Sequence, residues 1–207
     1  AMEVLLAMNI KMVSPAAFIE RVFDVPVFCQ LNTRDYCKHK EGESFIRSSF
    51  YTSPEGYEGD FLKYAQVADV LIAGAYWDPS APVLFEREDV LKNNFKIRII
   101  ADITCDIQGS IPSTLRSSTI DDPIYDYNPS EDIVELPLTD EANITVMAVD
   151  NLPCELSRDA SESFGDELIN NVFPYLVGED ILGTIAKATV TEMGSLSDKY
   201  DYLKAYV

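Results

Sequence analysis

Three unbroken apolar runs constrain this chain more than any other feature: "ADVLIAGAYW" at 68–77, "KIRIIADI" at 96–103 and "ITVMAVD" at 144–150. None alternates apolar with polar residues, as a strand with one wet face would. Continuous runs suit parallel strands covered on both faces. Helical patterns lie between them, and strands alternating with helices predict an α/β fold with a doubly wound, mostly parallel sheet. In that class ligands gather beyond the carboxyl ends of the strands, at a topological switch point. All three runs end in residues suited to a ligand: Tyr76 and Trp77, then Asp102 with Asp106, then Asp150 with Asn151.

The remaining elements follow from periodicity and punctuation. "AMEVLLAMNI" reads as a helix and "KMV" as a short strand. "SPAAFIERVF" reads as a helix with Ser14 as N-cap and Pro15 in its first turn, and "VPVFCQL" as a strand. Residues 32–55 are polar and irregular. A helix is expected over 54–65, with Tyr57, Phe61 and Tyr64 on one face. "EREDVLKNN" predicts a short helix, and "DIVELPL" a strand or an extended excursion. From about Leu156 a long helix places Ala160, Phe164, Leu168 and Val172 on one face. Two shorter helices, "EDILGTIAKATV" and "SDKYDYLKAY", follow it.

The stretch "IIADITCDIQGSIPSTLRSSTIDDPIYDYNP" puts a loop crowded with small hydroxyls after two acids. It has two readings: a solvated turn after a core strand, or a ligand site. Asp150 has two readings as well. It is either an N-cap for the helix that follows or a group of the site.

Charge narrows the classes of partner. Sixteen basic residues face thirty-five acidic ones in 207, for a net charge of -19. Such a field repels phosphate backbones and anionic membranes, so neither nucleic acid nor membrane is expected as a partner. A dinucleotide held by backbone amides remains compatible. The chain has no run long enough to span a membrane and no signal-peptide pattern at its start, so a soluble, cytoplasmic protein is expected. Cys29, Cys37, Cys105 and Cys154, with the sole histidine His39, fit no zinc spacing. Free thiols and no metal are expected.

The motifs "YWDPSAP", "ADITCDIQGSIPSTLRSSTIDDPIYDYNP" and "AVDNLPCELSRDASESFGDEL" resemble the saccharopine dehydrogenase (lysine-forming) and lysine–ketoglutarate reductase family. That family is related to alanine dehydrogenase and the soluble transhydrogenase subunit. The resemblance runs from Met2 to about Leu176. It implies two Rossmann-like domains around a cleft, NAD or NADP as cofactor, and an amino-acid substrate. It also implies hydride transfer between nicotinamide and a secondary amine or amino acid. The cofactor residues it implies are Tyr76, Ile103, Val149, Asp150, Asn151 and Leu152, with Asp150 beside the nicotinamide in a catalytic role. The substrate side it implies is Thr104, Cys105 and Asp106. The alternatives are an alanine dehydrogenase-like enzyme and a truncated, non-catalytic domain acting only in protein interaction.

The chain also departs from the family pattern. A Gly-rich turn and the strand before it are missing, as is the amino-terminal domain that carries the acid–base lysine and histidine; His39 does not match that histidine. The expectation is a carboxyl-terminal half that is inactive alone. Residues 1–153 would be a truncated NAD(P)-binding Rossmann-like domain, and 154–207 a helical segment packing towards the absent domain. Loss of the first strand would leave two groups of strands with open edges. The expected partners are therefore the amino-terminal half or a second copy of the chain.

Overall fold

The structure, a computed structural model, describes residues 1–206. The chain divides into two compact units, Ala1–Leu152 and a second from Pro153 onward.

The first unit opens with α1 (Met2–Ala7), β1 (Lys11–Met12), α2 (Pro15–Glu20) and β2 (Val27–Phe28). Ser14 caps α2: its Oγ accepts from the Ala17 amide at 3.2 Å, and Pro15 starts the first turn, where its missing N–H costs nothing. β1 and β2 pair in parallel, Lys11 opposite Val27. Next come α3 (Thr33–Tyr36), β3 (Cys37–His39), α4 (Arg47–Thr52), a 3₁₀ turn (Pro54–Gly56), β4 (Tyr57–Gly59) and α5 (Leu62–Ala65). β3 and β4 form an antiparallel pair.

Two expectations fail in this region. Residues 32–55 are not irregular, and 54–65 is not one helix. The aromatic spacing that suggested a helix serves two separate cores instead. Tyr57, extended in β4, packs with Cys37 and Phe50, whereas Phe61 and Tyr64 enter the main core. Gly59 lets β4 run close to a neighbouring loop. A Cβ there would lie 3.0 Å from the Val83 carbonyl oxygen.

The main sheet is built from β5 (Val70–Ala73), β6 (Ile99–Asp102), β7 (Ile124–Asn128), β8 (Ile133–Glu135) and β9 (Ile144–Met147), with α6 (Arg87–Val90) between β5 and β6. Its order is β5-β6-β9-β7-β8. β5, β6 and β9 are parallel to one another, while β7 runs antiparallel to both β9 and β8. The fold is α/β with a mixed sheet, in which β5, β6, β9 and β8 run one way and β7 alone runs the other. β7 arises from "IYDYN", inside the stretch read as loop. Its Tyr125 and Tyr127 are fully buried.

One face of the sheet carries the core. Ile100, Val146, Ala148, Tyr125 and Tyr127 pack there with Ile97, Phe85 and Phe95. On the other face Val70, Ile72 and Ile99 are exposed. The apolar runs are therefore not covered on both sides, and the expected helices on both faces are not met at β5 and β6. The β1–β2 pair remains a sheet of its own.

The second unit opens within a 3₁₀ turn (Leu152–Leu156). It holds α7 (Ser157–Asn171), α8 (Phe173–Val177), α9 (Thr184–Ala188), a hairpin of β10 (Thr191–Glu192) and β11 (Ser195–Leu196), and a 3₁₀ segment (Asp198–Tyr206). The long helix is where periodicity predicted it. Leu156 holds its N-cap position without a side-chain bond, so Asp150 is not its cap. The hairpin was not foreseen. Met193 and Gly194 both take positive φ, the geometry of a tight two-residue turn. Among the described residues, no helix is long and apolar enough to cross a membrane.

Candidate functional site

The carboxyl ends of β5, β6 and β9 lie side by side, Ala73 opposite Asp102 and Ala101 opposite Met147. Asp102 closes β6 and is 1% exposed. One of its oxygens accepts from the Thr104 hydroxyl at 2.6 Å, the Thr104 amide at 3.1 Å and the Cys105 amide at 3.3 Å. The other accepts from the Thr114 hydroxyl at 2.6 Å. A buried carboxylate needs such partners, and with them Asp102 becomes an anchor that shapes the turn. The acid at the strand's end thus faces inward.

The turn it shapes is tight. Cys105 and Gln108 take positive φ. The Gly109 amide donates to the Asp106 carbonyl at 2.9 Å, and a Cβ on Gly109 would fall 2.5 Å from the Asp106 Cβ. The Cys105 thiol donates to the Ala148 carbonyl at 3.1 Å, joining this turn to the end of β9.

The hydroxyls are mostly structural as well. Ser118 pairs with Val149 as an isolated parallel bridge. Its amide donates to the Ala148 carbonyl at 2.8 Å, its Oγ accepts from the Ala148 amide at 3.0 Å, and that Oγ donates to the Pro123 carbonyl at 2.8 Å. These bonds extend the ladder beyond β9 and fix the backbone just before Asp150. The buried Ser113 Oγ has no hydrogen-bond partner among the described residues.

The expected site residues divide by position. Thr104, Cys105 and Asp106 are brought against Val149 and Asp150 by the Cys105 and Ser118 links. Burial raises the Cys105 thiol pKa, and the carboxylates of Asp150, Asp102 and Asp106 push it further up. Three acids therefore bear on one sulfur, and the local field favours a cation. Ile103, Asp106, Asp150 and Asn151 are exposed, Leu152 is half-buried, and Val149 is buried. Ile103 is tied to β5, its amide donating to Ala73 at 2.8 Å. Tyr76 is exposed and stands apart from these links. Trp77 turns back into its own loop, donating to the Ala81 and Pro82 carbonyls at 3.2 and 3.3 Å.

Sequence reasoning missed Thr114 and Ser118 as individual contributors, although the density of hydroxyls was the signal for both. A cleft of about 470 Å³ lies elsewhere, lined by Lys40, Glu58, Phe85, Glu86 and Asp89 among others. None of the expected site residues lines it. The described residues contain no group of three potential metal ligands. Exposed Ile103 offers apolar surface to a flat ring, and the exposed turn at 150–151 offers backbone groups and a carboxylate, a set that a nicotinamide could use.

No family model matches the chain. It is 31% identical over 192 residues to alpha-aminoadipic semialdehyde synthase of Arabidopsis thaliana, covering 89% of this chain and 18% of that protein. It is 28% identical over 181 residues to the mitochondrial alpha-aminoadipic semialdehyde synthase of Mus musculus, covering 73% of this chain and 19% of that protein. The same enzyme of Rattus norvegicus gives the same identity and coverage. The chain spans under a fifth of the length of these curated relatives, which are its homologues over most of its own length.

Proposed function

We propose that this chain is the cofactor-binding portion of an NAD(P)-dependent amino-acid oxidoreductase of the saccharopine dehydrogenase and lysine–ketoglutarate reductase type. The observation that carries the reading is the joining of two strand ends: the Thr104–Asp106 turn is bonded to the end of β9, beside an exposed Asp150. Similarity to the alpha-aminoadipic semialdehyde synthases supports a saccharopine-type substrate over alanine. The cofactor, NAD or NADP, would accept the hydride. Tyr76, Ile103 and the 149–152 turn would hold its nicotinamide end. Asp150 would stabilise the iminium that forms as the amine loses hydride, because a carboxylate held close by offsets developing positive charge. Thr104, Cys105 and Asp106 would face the amino-acid substrate, the acidic side chain holding its ammonium group.

Titrating the isotopically labelled chain with NAD and NADP tests the binding half. Amide shifts are expected at Ile103, Asp150 and Asn151; a response confined to other residues sinks the assignment. The catalytic half is tested at Asp150 in a full-length enzyme that contains this chain. Its change to Asn should lower turnover roughly 10²–10³-fold with little loss of thermal stability. Unchanged turnover would remove the role.

A further inference from the structure

The end of β9 is set by a side chain outside the expected site. β7 and β9 pair as far as Ile124 opposite Met147. One step further along that ladder stand Pro123 and Ala148, and the Ser118 hydroxyl bridges them. It accepts from the Ala148 amide at 3.0 Å and donates to the Pro123 carbonyl at 2.8 Å.

The bridge ends one pairing and begins another. Beyond it the chain leaves β7 and runs beside Ser118, the parallel partner of Val149. The Ser118 amide donates to the Ala148 carbonyl at 2.8 Å, and the Asp150 amide donates to the Ser118 carbonyl at 3.4 Å. The Ala148 carbonyl also accepts from the Cys105 thiol, so the 104–106 turn is tied to the same peptide. Ala148 is fully buried and Ser118 is 2% exposed, which leaves the Ala148 amide no water to fall back on. Alanine at 118 would orphan that amide two residues before Asp150.

We propose that Ser118 is a positioning residue, whose hydroxyl fixes where β9 parts from β7 and so holds Asp150 and Asn151 in place. In this role, which rests on the proposed function of Asp150, Ser118 touches neither substrate nor cofactor. It acts through geometry, and a shift of about 1 Å in an oriented group can cost about 10²-fold in rate.

Ser113 supplies the control. It is buried in the same loop, but its Oγ has no hydrogen-bond partner among the described residues, so Ser113→Ala deletes the same atom without breaking a bond. Amide hydrogen exchange on the purified chain, without ligand, reads the local effect. Ser118→Ala should speed exchange at Ala148 and Asp150 at least about tenfold relative to Ile100 in the same variant. Ser118→Thr keeps the hydroxyl and should restore protection, and Ser113→Ala should leave it unchanged. Ser118→Cys keeps a weak donor and acceptor and should fall between, which preserves the test if the alanine variant unfolds. Unchanged exchange in Ser118→Ala overturns the proposal. Failure of the cofactor reading would show separately, as a wild-type chain that neither NAD nor NADP shifts.

A full-length enzyme that contains this chain reads the consequence. Ser118→Ala should lower kcat roughly 10- to 100-fold with the KM for the amino acid little changed. Added to Asp150→Asn it should cost nothing further, because both changes remove the same interaction. Additive losses would assign Ser118 to stability alone and overturn the positioning role, and so would a wild-type kcat in Ser118→Ala.

Discussion

Asp102 shows how one buried side chain sets the shape of a strand end. Its two oxygens collect four hydrogen bonds from Thr104, Cys105 and Thr114. Asp102→Asn keeps one of the two acceptor oxygens but loses the charge assistance, and it should cost about 1–2 kcal/mol. Asp102→Ala should cost more, because it leaves the buried Thr114 hydroxyl unsatisfied. Urea unfolding of the two variants checks the order. Cys37 makes a second prediction, through pH. Burial, reinforced by the Asp60 carboxylate, pushes its thiol from 9.0 up to about 11. The folded state therefore holds that proton more tightly than the unfolded chain does. Its contribution is complete below pH 9.0 and is lost as pH rises towards about 11. Cys37→Ala should flatten the alkaline decline in melting temperature, whatever it costs at neutral pH. An equal slope in both proteins would contradict this.

At the scale of elements, β5 and β6 separate pattern from position. Their residues form a continuous apolar run, yet β5 is the edge of the sheet and one face of the pair is exposed. Truncation should report this directly. Ile100→Ala removes a fully buried side chain and should cost about 2–5 kcal/mol, whereas Ile72→Ala should cost under about 1 kcal/mol. Equal costs would mean that the open face is covered in solution. α2 was readable because Ser14 and Pro15 announce its start locally. β6 and β9 were readable because their runs are long and apolar. β7 was hidden: "IYDYN" carries an acid and an asparagine. Asp126 is buried only because the Thr145 hydroxyl donates to it at 2.8 Å from the neighbouring strand, a contact no local pattern displays. The site was half legible for the same reason. Acids and hydroxyls marked the loop that the structure ties to β9, but which of them turn inward depends on β9, more than twenty residues further on.

For the whole molecule, charge is the largest collective quantity. A net charge of -19 repels itself in the compact state, and added salt screens that repulsion. Raising sodium chloride from about 0.05 M to about 0.5 M should raise the melting temperature, since screening at that level acts over less than about 10 Å. A decrease would show that the seven ion pairs among the described residues outweigh the excess of acid. On the proposed reading, in which the chain supplies only the cofactor-binding portion, the chain by itself is expected to turn over neither saccharopine, lysine nor alanine with NAD or NADP; ordinary enzyme rates in that assay would refute the point. The sheet order adds a constraint on synthesis. β9 sits between β6 and β7, both of which precede it in the chain. As the ribosome extrudes the polypeptide, β5–β6 and β7–β8 emerge as two unjoined ribbons. They can be sewn together only after Ile144–Met147 has left the exit tunnel and slipped between them. A stall or premature stop before that point would leave two sticky half-sheets for chaperones and proteases to deal with, and no core for either to bury.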